Sequence, residues 1–247
     1  YFRKLESNER GADEYRGADG PLHVSGVRAP SPLTDAWLKA AVNLGVTRNY
    51  DLNGAISEGA DHVQASQRNG ERHNTSSAYL WPVSDRTNLS IWTNCHVQKI
   101  TFDGKRADGV MLHKDGEQIK VGANNGVVIS AGALATPKVL KLSGIGPAIE
   151  LKEYGIGVVV DLEGVGENLQ EHAGVPMRHH VNIPSIGSKQ NIILDTLKNL
   201  WYGLNYFLRK RGPLTCGVGH AQAFIKTDDS QIVPNIQIVM SPFSFVV

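Results

Sequence analysis

Only two cysteines, Cys95 and Cys216, occur in a chain of 247 residues. No Cys-x-x-Cys pair exists, so neither a zinc site nor a disulfide framework is indicated. Both read as small apolar fillers. A basic excess is also missing: 25 Lys and Arg face 24 Asp and Glu, for a formal net charge of +1. Nucleic-acid binders carry a basic face, so no nucleic-acid partner is expected. No run approaches the ~20 apolar residues of a membrane span, and no transmembrane segment is expected. The chain opens Tyr1-Phe2-Arg3, with neither a Met nor a signal segment, and reads as an excerpt. The compartment stays open between secreted and cytoplasmic.

Standard catalytic loops are lacking as well. Gly144-Ile145-Gly146, Gly155-Ile156-Gly157, Gly164-Val165-Gly166 and Gly217-Val218-Gly219 each begin a G-x-G. The third-glycine positions hold Ile149, Val160, Leu169 and Gln222, so no dinucleotide fingerprint is complete. There is no Walker loop and no G-x-S-x-G elbow. His172, His179 and His180 lack ordered carboxylate or cysteine partners, and no metal site is expected.

What is present is glycine, 26 residues of it, in a chain 41% hydrophobic and 20% charged. That mix fits a globular chain of one large domain or two small ones. Residues 6–21 and the polar stretch 49–77 read as loops. Between them, Leu33 to Val46 predicts a helix with Thr34 or Asp35 near its N-cap and Gly45 as its stop. A β-meander is predicted from Val97 to Val121, turning at Asp103-Gly104 and Asp115-Gly116. Gly126 to Ser130 reads as a buried apolar strand. Ala131-Gly132-Ala133 follows, and Thr136-Pro137 opens a helix. A strand–glycine–helix unit leaves free N–H groups that suit an anion.

Over 190–211 the residues Ile193, Leu197, Leu200, Leu204 and Phe207 form one helical stripe, stopped by Gly212-Pro213. Ala221–Ile225 and Ile236–Met240 read as strands. His220, just before the first of them, is a candidate to line a pocket; the plainer alternative is a solvated loop histidine.

The run Gly132-Ala133-Leu134-Ala135-Thr136-Pro137 through Ser143-Gly144-Ile145-Gly146-Pro147 resembles the second signature of the glucose–methanol–choline flavoenzymes. Gly164 to Gly166 with Glu167-Asn168-Leu169-Gln170-Glu171-His172 resembles a further stretch of that family, Glu171 standing for the usual Asp. Tyr79-Leu80-Trp81-Pro82 and Arg86-Thr87-Asn88-Leu89 agree with it too.

The resemblance implies an α/β (α+β) fold, part FAD-binding Rossmann-like domain and part antiparallel-sheet substrate domain. It divides the chain into a cap and substrate-domain connection over 1–85, FAD-binding domain over 86–172 and substrate domain over 173–247. Val97 is then expected beside the adenine of FAD, with Ala131 and Gly132 close past the nucleotide. Val239, Met240 and His220 are expected in the substrate wall.

The chemistry implied is FAD-dependent oxidation of a small-molecule alcohol, primary or sugar, by hydride transfer to the flavin. The family draws its proton-accepting histidine from a region expected beyond Val247, so no catalytic residue is assigned within the chain. Its pyrophosphate fingerprint is expected before Tyr1, and the chain by itself is expected to be inactive and to retain little FAD. Ala173 and Gly174 stand where choline-oxidising members carry an acid, which lowers support for choline. Gly212-Pro213-Leu214-Thr215 resembles the glucose-dehydrogenase-like branch. A hydroxynitrile lyase of the same fold and a non-catalytic fragment stand as alternatives, and the electron acceptor stays open.

Overall fold

The computed structural model describes residues 1–182, 185–186 and 192–243. In chain order they form α1 (Phe2–Leu5), β1 (Glu6–Asn8), β2 (Leu22–Gly26), α2 (Pro32–Asn43), β3 (Gly59–His62), β4 (Gln64–Ala65), β5 (Gln67–Arg68) and β6 (Glu71–Arg72). Then come β7 (Cys95–Asp103), β8 (Arg106–Lys114), β9 (Glu117–Gly122), α3 (Gly132–Leu142), β10 (Ile145–Gly146), α4 (Ala148–Glu153) and β11 (Val160–Asp161). The last elements are α5 (Ile192–Arg209), β12 (Ala221–Ile225) and β13 (Ile236–Met240). They divide into two compact units, Tyr1–Leu89 with Arg178–Val247, and Ser90–Met177.

The Ser90–Met177 unit is built on the meander β7-β8-β9. Lys114 pairs with Glu117, leaving Asp115 and Gly116 as a two-residue turn at φ 51° and 86°. Two positive φ values in a row match the twist of the flanking strands, and Asp-Gly adopts them at least cost. Helix α3 packs against β7, and Ser143 just beyond its end fastens the two: the Ile100 N–H donates to Ser143 Oγ at 2.8 Å. Gly144 follows at φ 84°, where a Cβ would lie 2.3 Å from the Gly157 carbonyl oxygen, so only glycine fits this turn.

Two expectations fail in this unit. Residues 126–130 form no strand, and Val128 is 91% exposed. Among the described residues no strand lies beside this apolar run, and a strand exists only through its partners. Helix α3 begins at Gly132, so Pro137 lies inside the helix rather than at its start.

In the other unit, β13-β12-β3 make an antiparallel sheet, with Ala60, Ala223 and Ile238 in one row. One face is covered by α2. Leu38, Ala60, Ala221, Ala223 and Met240 form the core there, flanked by Leu33, Trp37 and Ala41. Leu38 is fully buried, worth about 1.5–3 kcal/mol of transfer free energy. Helix α2 starts one residue earlier than expected and its N-cap is Ser31 rather than Thr34 or Asp35, the Ser31 side chain accepting from the Leu33 N–H, while Thr34 is buried. Pro32 at the first helical position removes a donor that has no partner in any case.

The stretch 49–77 is not all loop, since it holds β3 to β6, and Glu6–Asn8 is a strand paired with β2. Helix α5 stops before Gly212 as expected. Its stripe is not a core face, however: Leu200 is 69% and Phe207 75% exposed. Gln190, Asn191 and the Ile193 side chain of that helix reading lie outside the described residues.

Candidate functional site

Each unit presents one surface with site character. In Ser90–Met177 it is the start of α3 and the groove beside it. Ala131 is the N-cap, Gly132 follows at φ 81°, and no side chain caps the helix or places an acid in its first turn. The first-turn N–H groups therefore remain available to an anion. A Cβ added at Gly132 would meet nothing within 4 Å, so the backbone is open on that side.

The groove encloses about 1320 Å³ between α3, through Leu134, Pro137 and Lys141, and the segment Gly164 to Gln170. Leu134 and Leu169 are 75% and 63% exposed on its walls. Lys141 is paired with Glu150 at 2.7 Å and lies against Gly166. The Gly164 to Gln170 wall was quoted above as a motif but given no place in a site. A glycine-rich loop carries no spacing that tells which helix it lies against.

Val97 is on β7, an edge strand of the meander among the described residues, and is 38% exposed. A register irregularity separates it from Lys99. An edge strand keeps unpaired backbone N–H and C=O groups, and a bulge re-aims them. An open strand edge, an uncapped helix start and an unobstructed Gly132 are features that a nucleotide-bearing cofactor fits.

The second surface is the side of β13-β12-β3 that turns away from α2. Strand pleating alternates side chains between faces. Gln222 sits in one row with Val239 and Asp61, and Phe224 sits in the next with Gln237 and Gly59. Gln237 Nε2 donates to Gln222 Oε1 at 2.9 Å. Asp61 is 5% exposed and bound by Arg48 Nη2 at 2.5 Å.

The expected wall residues Val239 and Met240 fall on opposite faces of the sheet. Val239 lies on this face and is 54% exposed, whereas Met240 points the other way into the core, where its sulfur accepts from Thr34 Oγ1 at 3.7 Å. Consecutive strand residues cannot line one surface together.

His220 is not solvated; its side chain is fully buried, edge-on to Phe243 at 5.7 Å. Apart from the Gly217 backbone nearby, neither ring nitrogen finds a hydrogen-bond partner, nor does the buried Ser241 Oγ. Burial pushes the His220 pKa below the ordinary imidazole value, helped by nearby His62 and opposed by the Gly217 backbone. Burial thus favours the neutral ring. Among the described residues no cluster of His, Cys, Asp and Glu could hold a metal, and no helix is long and apolar enough to cross a membrane.

The mixed α/β fold with small antiparallel sheets is similar to that of solved FAD-dependent oxidoreductases. An FAD-dependent oxidoreductase from Chaetomium thermophilum superposes with a TM-score of 0.77 at 27% identity, over 91% of this chain and 42% of that one. The GMC oxidoreductase profile matches residues 1–174, and the chain belongs to that family. It is 36% identical over 245 residues to an alcohol dehydrogenase [acceptor] of Pseudomonas putida, covering 98% of this chain and 44% of that protein. It is equally similar, 36% over 244 residues, to an oxygen-dependent choline dehydrogenase of Paraburkholderia phymatum, covering 98% and 42%. The chain thus spans less than half the length of these relatives. The family and its FAD-dependent neighbours support FAD as cofactor.

Proposed function

We propose that this protein takes part in the FAD-dependent oxidation of an alcohol CH–OH group. The Ser90–Met177 unit would carry part of the cofactor cradle and the β13-β12-β3 sheet part of the substrate wall. The observation that carries the reading is the start of α3, where the family signature coincides with an uncapped helix terminus and an open Gly132. FAD, when bound, supplies the hydride acceptor. The chain's own residues bind and orient. The first-turn N–H groups of α3 and the edge backbone around Val97 would hold nucleotide oxygens and a base edge, while Ala131 and Gly132 let the backbone pass close to them. The choline and alcohol dehydrogenase relatives support a small alcohol as the substrate class.

Amide exchange of the chain with and without added FAD tests the cradle: Val97 and Gly132 should exchange more slowly with FAD, and unchanged exchange at both refutes it. Anaerobic mixing of alcohols with the flavin-loaded protein from its natural source tests the chemistry. Bleaching of the flavin supports oxidation. A flavin that no alcohol bleaches overturns that part and favours the lyase of the same fold.

A further inference from the structure

If this sheet bears the alcohol, as just proposed, the open face of β13-β12-β3 also fixes which alcohols fit. Its side chains are amides and apolar groups, Gln222, Gln237, Val239 and Phe224, and the buried His220 ring and Ser241 hydroxyl adjoin the end of the sheet. We propose that this surface accepts a neutral alcohol and rejects a quaternary ammonium alcohol such as choline.

Charge is the first reason. A quaternary ammonium that leaves water needs a counter-charge or a cage of ring faces, since an unpaired buried ion is strongly disfavoured. The carboxylate in the Gln222 row belongs to Asp61, which is buried and already neutralised by Arg48. At the neighbouring rim Glu58 is held by Lys226 at 3.3 Å, so that carboxylate too comes with its own cation. Phe224 is a single ring among the paired residues of this face, and the Phe243 ring packs edge-on against His220, so the rings form no cage.

Unmet hydrogen bonds are the second reason. Apart from the Gly217 backbone beside His220, the His220 ring and the Ser241 oxygen are buried without partners. Native proteins rarely leave such groups unpaired, and a hydroxyl, at once donor and acceptor, pairs with a neutral imidazole or another hydroxyl. A trimethylammonium group offers neither. The Gln222–Gln237 amides add further donors and acceptors for the same kind of ligand.

The test sets choline against its carbon isostere, the alcohol in which a tert-butyl group replaces trimethylammonium. Ligand-observed NMR titration of the chain gives the two affinities directly. The isostere should bind at least about tenfold more tightly. Gln237→Glu, a change of nearly equal volume, should move the ratio about tenfold towards choline, and Gln222→Glu should do the same as a second, independent variant. Choline binding as well as or better than the isostere overturns the proposal. So does the absence of binding by either, or an unchanged ratio in both folded variants. The broader reading fails differently: an isostere preference without FAD protection of Val97 and Gly132 would sink the cradle alone, and protection without the preference would sink this proposal alone.

Discussion

Replacing Ser143 with alanine removes one oxygen and leaves one donor stranded. The Ile100 N–H points away from the meander and donates to Ser143 Oγ at 2.8 Å, and both residues are 6% exposed. The Ser143 hydroxyl also donates to the Val139 carbonyl at 2.5 Å, but that carbonyl accepts from the Ser143 N–H as well and loses little. The net loss is therefore one buried backbone donor, a penalty of about 1–3 kcal/mol. If the Ile100 amide exchanges through local opening of α3 from β7, its exchange should accelerate about 5- to 150-fold. Amide exchange by NMR reads that residue, and a urea melt reads the same free energy globally. An alanine variant with the Ile100 amide as protected as in the parent, and an unshifted urea midpoint, would refute the idea that this hydroxyl fastens helix to strand.

Gly144→Ala should destabilise by at least about 2 kcal/mol, because it adds a positive-φ penalty to a Cβ lodged 2.3 Å from the Gly157 oxygen; an unchanged thermal midpoint would contradict this. Acid should loosen the Tyr1–Leu89 with Arg178–Val247 unit. His220 is depressed by burial and by His62, and His73 by burial, Arg68 and His23. His73 Nδ1 also accepts the His23 N–H at 3.0 Å, a bond that protonation of that nitrogen abolishes. Both folded pKa values lie below the unfolded imidazole value of about 6.5. The unfolded chain therefore takes up protons that the fold excludes, and the stability contribution is full above about pH 6.5 and falls below it. Urea midpoints equal at pH values about one unit either side of 6.5 would count against it. The Leu200→Glu and Phe207→Glu double variant should reduce self-association of the chain, measured by light scattering, since both side chains are apolar and exposed on α5. An unaltered mass would show that α5 is not the sticky face.

What could be foreseen from sequence depended on how local each element is. The meander announced itself because Asp115-Gly116 dictates a turn and the strands on either side pair with each other. Strands β12 and β13 were equally plain, being neighbours in sequence. β3 was invisible: Gly59-Ala60-Asp61-His62 has no apolar alternation, and its strand character comes from β12, far along the chain. The apolar run at 126–130 failed the opposite way, with strand-like composition and no partner among the described residues. Pro137 misled because proline favours a helix start, yet the signature begins its helix at Gly132. Of the candidate site, the motif positions Ala131 and Gly132 could be located from the resemblance. The polar face holding Gln222 and Gln237 could not, because which side of a sheet stays open is decided by where α2 packs.

The pairing of β3 with β12 also dictates a schedule. Ala60 finds its partner Ala223 only after everything between them has been synthesised, including the whole of Ser90–Met177. That intervening unit draws its meander and helix contacts from neighbouring sequence and can close while the ribosome is still at work. Strand β3 and the apolar side of α2 must wait, uncovered, until β12 emerges. Chaperone engagement, proteolytic nicking and mispairing during synthesis should therefore concentrate on the segment that holds α2 and β3.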